Sequence, residues 1–517
     1  MADRALAVLE GISKRFGSIQ ALDDATLEIK AGEILVLAGE NGAGKTSLMN
    51  VLTGLYRPDK GRIFVEGRPY DIRGPRDAIK LGLAMVHQHF ELVYNFTVLE
   101  NIILGLEGAG ARLDWDAHRE KVGNLASRYG LQVSLDQRVR DLPVGLQQKV
   151  EILKALYRQA RLLILDEPTT LLTPQEVDSL FKTIRKLAQS GVGIVLVTHK
   201  LREAFQVSDR IAVMRRGRVV GSLPTAQATP EKIVEMLMGT PEASKLVSPQ
   251  YELPTISTHA QPLLHIEDLW LETRTGPPLL KAISLSVRKG EILGLAGVAG
   301  NGQSELVETL IGLRLPTRGI IALAGQDVTA LTTSERIRTG LVLIPEDRIG
   351  DGMLPHHSIA ENMVLGLHHL VFRHRFRRDH AIRLANLAIS NYDVRAPDPS
   401  AEAATLSGGN IQKMVVARAM VMAERHEEPV LIAFNPTRGL DIRATDFVRK
   451  EIVNVGFRGG AVLLLSEDLD ELMALSHRIC VLHRGELVAE FTGPSYDPYK
   501  IGDAMIGSLG AASREGD

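Results

Sequence analysis

The chain of 517 residues carries 47 Gly, 23 Pro and 45% hydrophobic residues, which excludes collagen-like, disordered and mini-protein classes and leaves room for two or three domains with full cores. Its 60 Lys plus Arg face 62 Asp plus Glu, a formal net charge of −2, so nothing argues for a phosphate-backbone binder and no nucleic-acid partner is expected. A lone cysteine, Cys480, excludes an internal disulfide framework and Cys-based zinc, and reads as a small core residue in a reducing compartment.

In the first ten residues an apolar run of only about five lies between Asp3 and Glu10, too short for a signal peptide. No stretch reaches the roughly 18 uninterrupted apolar residues of a bilayer span, so a cytoplasmic chain is expected. Phe16, in Lys14-Arg-Phe-Gly17 ahead of a first strand pair, is either a core residue or an aromatic platform for adenine. A strand over 33–38 runs into Gly39-Glu-Asn41-Gly42-Ala-Gly44-Lys45-Thr46, and a helix over 47–55 opens at Ser47. That is the Gly-x-x-x-x-Gly-Lys-Ser/Thr phosphate loop: glycines let backbone N–H groups turn around phosphate oxygens, Lys45 meets the β- and γ-phosphates, and the Thr46 hydroxyl can ligate Mg²⁺.

Residues 92–159 lack strand-like runs and place Leu, Ile and Ala at helical spacing, which predicts an inserted helical subdomain. The strand over 162–165 ends in Asp166-Glu167, putting one carboxylate at a metal and the next beside it to hold or deprotonate a water. His199 follows a third strand over 193–197, where its imidazole can reach a γ-phosphate.

Pro, Ser and Thr then dominate 239–262 without apolar period, a linker. Beyond it the plan repeats. Ala31-Gly-Glu-Ile-Leu-Val-Leu-Ala-Gly39 recurs as Lys289-Gly-Glu-Ile-Leu-Gly-Leu-Ala-Gly297, and the same offset of 258 carries Met85-Val-His-Gln88 onto Leu343-Ile-Pro-Glu346. Slightly larger offsets carry Leu142-Pro-Val-Gly145 onto Leu406-Ser-Gly-Gly409 and Val195-Leu-Val-Thr-His199 onto Leu463-Leu-Leu-Ser-Glu467, and 351–424 is a second helical insertion. The expected fold is α/β, two tandem P-loop domains over 4–239 and 263–507, each a mostly parallel sheet with a helical insertion, joined by a linker over 240–262 and trailed by a flexible 508–517 tail.

Phosphate loop, Gln88, a Leu-x-x-Gly signature before Gln147-Gln148, Asp166-Glu167-Pro168-Thr169 and His199, all twice in one chain, resemble the ATP-binding subunit of ABC transporters. The duplicated form, with Ile344-Pro-Glu-Asp-Arg348 and Pro436-Thr-Arg-Gly-Leu-Asp441, resembles the fused double-ATPase subunit of simple-sugar and nucleoside importers; His87-Gln-His-Phe-Glu-Leu-Val93 with Phe96-Thr-Val-Leu-Glu-Asn-Ile102 is closer to the nucleoside branch.

The resemblance implies an ATPase using ATP and Mg²⁺. Glu167, His199 and Gln88 are its catalytic residues; Thr46, Gln88 and Asp166 serve the metal; Phe16, Gly39, Asn41, Gly42, Gly44, Lys45, Thr46 and Ser47 bind nucleotide, with Ser407, Gly408 and Gly409 of the other half completing the site. It also implies a chain at the cytoplasmic face of the cell membrane, a peripheral subunit powering solute import. Gln88 and the loop from His89 to 101, with 346–353, would meet two integral-membrane permease subunits, and an extracytoplasmic substrate-binding protein would act indirectly.

Against that pattern the second half is damaged. Gln303 stands for the phosphate lysine beside Ser304, Phe434 for the metal-side Asp, Asn435 for the catalytic Glu, Glu467 for the His and Glu346 for Gln88. Its signature is intact, whereas the first half has Pro143 where Ser is expected, losing a hydroxyl and an N–H. If units face head to tail, the intact loop meets the intact signature, and one site works while the other does not. The alternative is a soluble tandem ATPase acting on ribosomes or nucleic acid; that class carries two catalytic carboxylates and a charged helical linker, which Asn435 and a Pro/Ser/Thr linker do not match.

Overall fold

Alternation of buried and exposed side chains builds the first sheet. In β2 (Ile19–Lys30) Ala25, Leu27 and Ile29 are buried while Glu28 between them is exposed, as expected of a strand with one wet face. It runs antiparallel to β1 (Ala5–Phe16), pairing Leu9 with Leu27; β4 (Lys60–Val65) and β5 (Arg68–Tyr70) complete a four-stranded sheet in the order β2-β1-β4-β5. Beside it lies a six-stranded sheet whose inner strands, β3 (Ile34–Gly39), β7 (Leu162–Asp166) and β8 (Gly193–Thr198), are buried at every residue. They are continuous apolar runs because both faces are covered. The order is β10-β9-β3-β8-β7-β6, with β6 (Leu83–Val86) at one edge. All pairings are parallel except the hairpin of β9 (Arg210–Arg215) and β10 (Arg218–Pro224), whose turn residues Arg216 and Gly217 both have positive φ, 50° and 79°.

The computed structural model describes residues 5–17, 19–88, 90–105, 113–170, 172–239, 251–256, 261–273, 276–367, 372, 375–392, 394–396 and 398–507. The chain divides into two compact units, Met1–Ser248 and Pro249–Asp517. The second repeats both sheets. Strands β11 (Pro262–Leu271), β12 (Leu280–Arg288), β14 (Arg318–Leu323) and β15 (Gln326–Asp327) form the order β12-β11-β14-β15. Strands β13 (Ile292–Ala296), β16 (Leu341–Ile344), β17 (Val430–Phe434), β18 (Ala461–Leu465), β19 (Arg478–His483) and β20 (Glu486–Thr492) form β16-β17-β18-β13-β19-β20. Cys480 on β19 is buried, and burial pushes its thiol up to about 12, an inert core residue.

The helical insertions are present in both units. In the first, α3 (Val98–Ile103) opens with a reciprocal capping box of Thr97 and Glu100, followed by α4 (Trp115–Tyr129) and α5 (Val144–Tyr157). The second opens the corresponding helix, Ile359–Met363, with Ser358 and Glu361 in the same arrangement. Among the described residues no helix is long and apolar enough to cross a membrane.

The mostly parallel sheet core is present in each unit, with a four-stranded antiparallel sheet as an added layer. Phe16 lies at the end of β1 rather than ahead of a strand pair. In the segment anticipated as linker, Tyr251 donates its hydroxyl to Asp446 at 3.0 Å and the Pro254 carbonyl meets His477 Nε2 at 2.8 Å, so 251–256 is fastened to the second unit. Residues 240–250 and 257–260 of that segment, His89 and the 508–517 tail lie outside the described residues.

Candidate functional site

The phosphate loop leaves β3 at Gly39 and enters α1 (Lys45–Leu52) through Gly44, whose φ of 100° suits glycine. A Cβ at Gly44 would stand 2.6 Å from the Ala21 carbonyl oxygen, and one at Gly39 would stand 2.7 Å from that of Met214, so the spacing of the motif is steric. Gly42 has φ 78°, Asn41 is exposed, and Ser47 lies in the first turn of α1. The Lys45 ammonium curls back over the loop, donating to the carbonyls of Gly39 at 2.7 Å and Glu40 at 3.1 Å. Burial pushes its pKa down against the pull of Glu167, Asp166 and Glu40, a cation awaiting anionic oxygens.

Thr46, at the next helical position, donates its hydroxyl to Asp166 Oδ2 at 2.9 Å across 120 residues of sequence. Burial raises the Asp166 pKa, opposed by that hydrogen bond. A hydroxyl and one carboxylate, already in contact and with the carboxylate short of positive charge, fit a Mg²⁺ ion completed by substrate phosphates and water. The described residues contain no group of three or more His, Cys, Asp or Glu able to hold a metal.

Glu167 follows with φ 47°, held by an N–H bond to the Val197 carbonyl at 2.9 Å. This left-handed turn swings its carboxylate off the strand axis toward two partners remote in sequence: His199 Nδ1 lies 3.0 Å from Oε1, and Gln88 Nε2 donates to Oε2 at 3.4 Å. Burial pushes the Glu167 pKa up, but the His199 hydrogen bond and the charges of His199, Lys45 and Lys200 outweigh it and hold the carboxyl below the usual range, ionised as a base must be. Six predicted residues, Gln88, Lys45, Thr46, Asp166, Glu167 and His199, thus converge at the ends of β3, β6, β7 and β8. Phe16 is exposed, its ring edge-on to Tyr56 at 5.0 Å, which removes the core alternative.

In the second unit the same turns carry other chemistry. Gly302, φ 110°, opens the helix Gln303–Leu310, but the Gln303 amide folds onto the Val298 carbonyl at 3.1 Å where an ammonium would be, with Ser304 exposed beside it. Phe434 is buried. Asn435 repeats the left-handed turn, φ 44°; its Nδ2 donates to Glu346 Oε1 at 2.9 Å and its Oδ1 accepts the Glu467 N–H at 2.9 Å. Carboxylate and amide have exchanged places relative to Glu167 and Gln88, and Arg438 adds an ion pair to Glu346 at 2.5 Å.

Each signature stands at a helix start. Ser407 is the N-cap of the helix Gly408–Ala423, with Gly408 and Gly409 in its first turn and Asn410 Nδ2 on the serine oxygen at 2.8 Å. Pro143 is the N-cap of α5, one place ahead of the first turn expected for it; its carbonyl accepts from Leu146 and Gln147, so the helix loses no bond to the proline. What this position lacks relative to Ser407 is the hydroxyl and the residue's own N–H.

Two pairs escaped the sequence reading. Gln148 Nε2 donates to the Pro168 carbonyl and Gln412 Nε2 to that of Pro436, both at 2.7 Å, fastening each signature helix to the loop after the carboxylate strand. Thr169 donates to Glu203 at 2.6 Å and Thr437 to Glu471 at 2.7 Å, fastening that loop to the next helix. Recurrence of these residues at matching positions was the available signal.

The family model described as ABC transporter matches residues 22–170 and 280–437. The chain belongs to the ABC transporter family. It is an ATPase of that family with two ABC transporter domains in one polypeptide. It is 39% identical over 514 residues to the nucleoside import ATP-binding protein NupA of Lactococcus lactis, covering 98% of this chain and 99% of that one. It is 40% identical over 507 residues to the guanosine import ATP-binding protein NupO of Bacillus subtilis, 96% of each chain, and 37% identical over 513 residues to the ribose import ATP-binding protein RbsA 1 of Rubrobacter xylanophilus, 98% of this chain and 99% of the relative. These matches do not favour the ribosome-acting alternative.

Proposed function

We propose that this ABC ATPase powers import of nucleosides or simple sugars from the cytoplasmic face of the membrane, docked on two permease subunits that receive solute from an extracytoplasmic binding protein. The nucleoside and ribose relatives support the solute class. The observation that carries the mechanism is the asymmetry of the units: Lys45, Thr46, Asp166, Glu167 and His199 are assembled in the first, while Gln303, Phe434, Asn435 and Glu467 dismantle the second and Ser407 is retained only there.

ATP held on the first unit's loop is closed over by the second unit's signature, whose Ser407 hydroxyl and free helix N–H groups meet the γ-phosphate. Thr46 and Asp166 would hold Mg²⁺, which supplies charge neutralisation to the β- and γ-phosphate oxygens. Glu167, kept ionised, accepts a proton from the attacking water as its oxygen bonds to the γ-phosphorus and the bond to the β-phosphate oxygen breaks. His199 fixes the carboxylate, and Gln88 links it to the loop beyond β6 that faces the permease. The opposite pairing, Gln303 with Pro143, is silent.

Ser407→Ala in the assembled transporter tests this. Loss of a charge-assisted hydrogen bond worth about 1.5–3 kcal/mol should lower ATP turnover roughly ten- to a hundredfold, and Pro143→Ser should add no second active site. An unimpaired Ser407→Ala transporter, or doubled turnover from Pro143→Ser, would overturn the crossed pairing.

A further inference from the structure

Beside the second unit's signature stands a cation with no anion to match it. The Arg348 guanidinium lies over two glycines: a Cβ at Gly408, the residue after Ser407, would stand 3.1 Å from Nη2, and one at Gly439 would stand 3.6 Å from both Nη1 and Nη2. Of its N–H donors only Nη1 has a bond among the described residues, to the Arg438 carbonyl at 3.1 Å. Asp347, next in the chain, is engaged elsewhere, its Oδ1 accepting the N–H groups of Ile349 and Gly350, both at 2.9 Å. Burial pushes the Arg348 pKa down and the Asp347 charge offsets this only in part, the same state of need as Lys45.

The turn that carries Arg348 is fastened to the helix that presents Ser407. Arg418, on that helix, donates to the Gly352 carbonyl at 2.7 Å, and the Gly352 N–H closes onto the Asp347 carbonyl at 3.0 Å. The first unit replaces each participant. There β6, which follows α2 (Pro75–Lys80), leads to Phe90 where β16 leads to Arg348, while Val144 stands for Gly408 and Leu171 for Gly439. Cation and admitting glycines occur together in the unit whose signature keeps its serine, and are missing together from the unit with Pro143. Fastening the signature helix to the loop after the carboxylate strand does not require an arginine, because Gln148 and Gln412 do so in both units.

We propose that Arg348 is a γ-phosphate ligand, supplied together with Ser407 to the ATP held on Lys45. This rests on the crossed pairing proposed above. The signature helix offers partial positive charge through its free N–H groups; Arg348 adds a full charge whose planar fork can hold two phosphate oxygens at once. It draws on nothing that ADP carries, so its contribution separates the triphosphate from the diphosphate and ends when the γ-phosphate leaves.

The test follows ATP turnover of the assembled transporter against MgATP concentration, with inhibition by MgADP and thermal melting measured in parallel, for Arg348→Gln, Arg348→Lys and Ser407→Ala. Gln keeps a donor for the Arg438 carbonyl and removes the charge. Arg348→Gln should lower kcat/KM for ATP by about 10- to 100-fold, the range for a hydrogen bond between charged groups, and leave both the inhibition constant of MgADP and the melting temperature unchanged. Arg348→Lys, a point charge without the fork, should fall between Arg348→Gln and wild type. Equal losses for ATP and ADP, or a loss accompanied by lowered melting, would make Arg348 a structural clamp and overturn the assignment. Unchanged kcat/KM in Arg348→Gln beside an impaired Ser407→Ala would overturn it while leaving the crossed pairing in place; no impairment in either would overturn both.

Discussion

Replacing Glu167 by Asn, the residue type at the same turn of the second unit, should separate chemistry from stability. A left-handed backbone costs an ordinary residue about 1–2 kcal/mol, and Asn adopts it far more readily than Glu, so relief at φ 47° recovers up to about 1 kcal/mol. The loss is the contact with His199 at 3.0 Å and the long bond from Gln88. His199 is 37% exposed, which limits that loss to about 1 kcal/mol. The two nearly cancel, whereas turnover should fall by two or more orders of magnitude with the base removed. The balance depends on pH. A carboxyl held below its unfolded pKa contributes stability above that value and loses it as pH falls through the folded one, so the variant should gain on the wild type in acid. Urea unfolding at neutral pH and at about pH 4, with phosphate release from the assembled transporter, reads both effects. A variant that loses more than about 2 kcal/mol at neutral pH, or keeps a tenth of its turnover, would refute the reasoning.

Asp166 has its pKa raised by burial, so protons should compete with the cation: MgATP affinity by calorimetry should fall more steeply than that of metal-free ATP as pH drops from neutral toward about 5, and Asp166→Asn should abolish the difference. Arg336 is fully buried and donates to the carbonyls of Thr309, Leu310, Thr329 and Leu331, closing the helix that starts at Gln303. Arg336→Met should cost about 3 kcal/mol or more in urea unfolding of the second unit, because several buried carbonyls lose their donor.

Much of the working site was legible because its residues leave steric or charge patterns. Gly39 and Gly44 cannot be otherwise where a Cβ would meet a carbonyl oxygen, and Asp166-Glu167 stands out as charge ending an apolar strand. The antiparallel sheet was less visible: register shifts between Leu9 and Ile12 break the alternation of β1, leaving only Ala25, Leu27 and Ile29 with a clean period. Phe16 was misplaced for the same reason. Gln148 and Glu203 act through a backbone carbonyl and a threonine hydroxyl, contacts that impose no spacing on the chain.

The exchange of carboxylate and amide between Glu167–Gln88 and Asn435–Glu346 argues that the second site is maintained. Drift removes partners; here the hydrogen bond persists with its polarity reversed, and Arg438 neutralises the relocated charge. Asn435→Glu alone should place two carboxylates where a 2.9 Å bond now stands, with the backbone still at φ 44°, and cost about 1–3 kcal/mol. Adding Glu346→Gln restores the first unit's carboxylate–amide pair, with Glu467 still standing where His199 is, and should recover part of that loss, giving a coupling energy of about 1 kcal/mol or more in a double-mutant cycle. Turnover should not rise in either variant, because Gln303 still lacks the ammonium that a triphosphate requires and Phe434 still replaces the metal-side carboxylate. Urea unfolding of the four chains decides it: additivity to within about 0.5 kcal/mol would mean that the pair carries no shared energy, and its inversion would then be an accident of two unrelated substitutions.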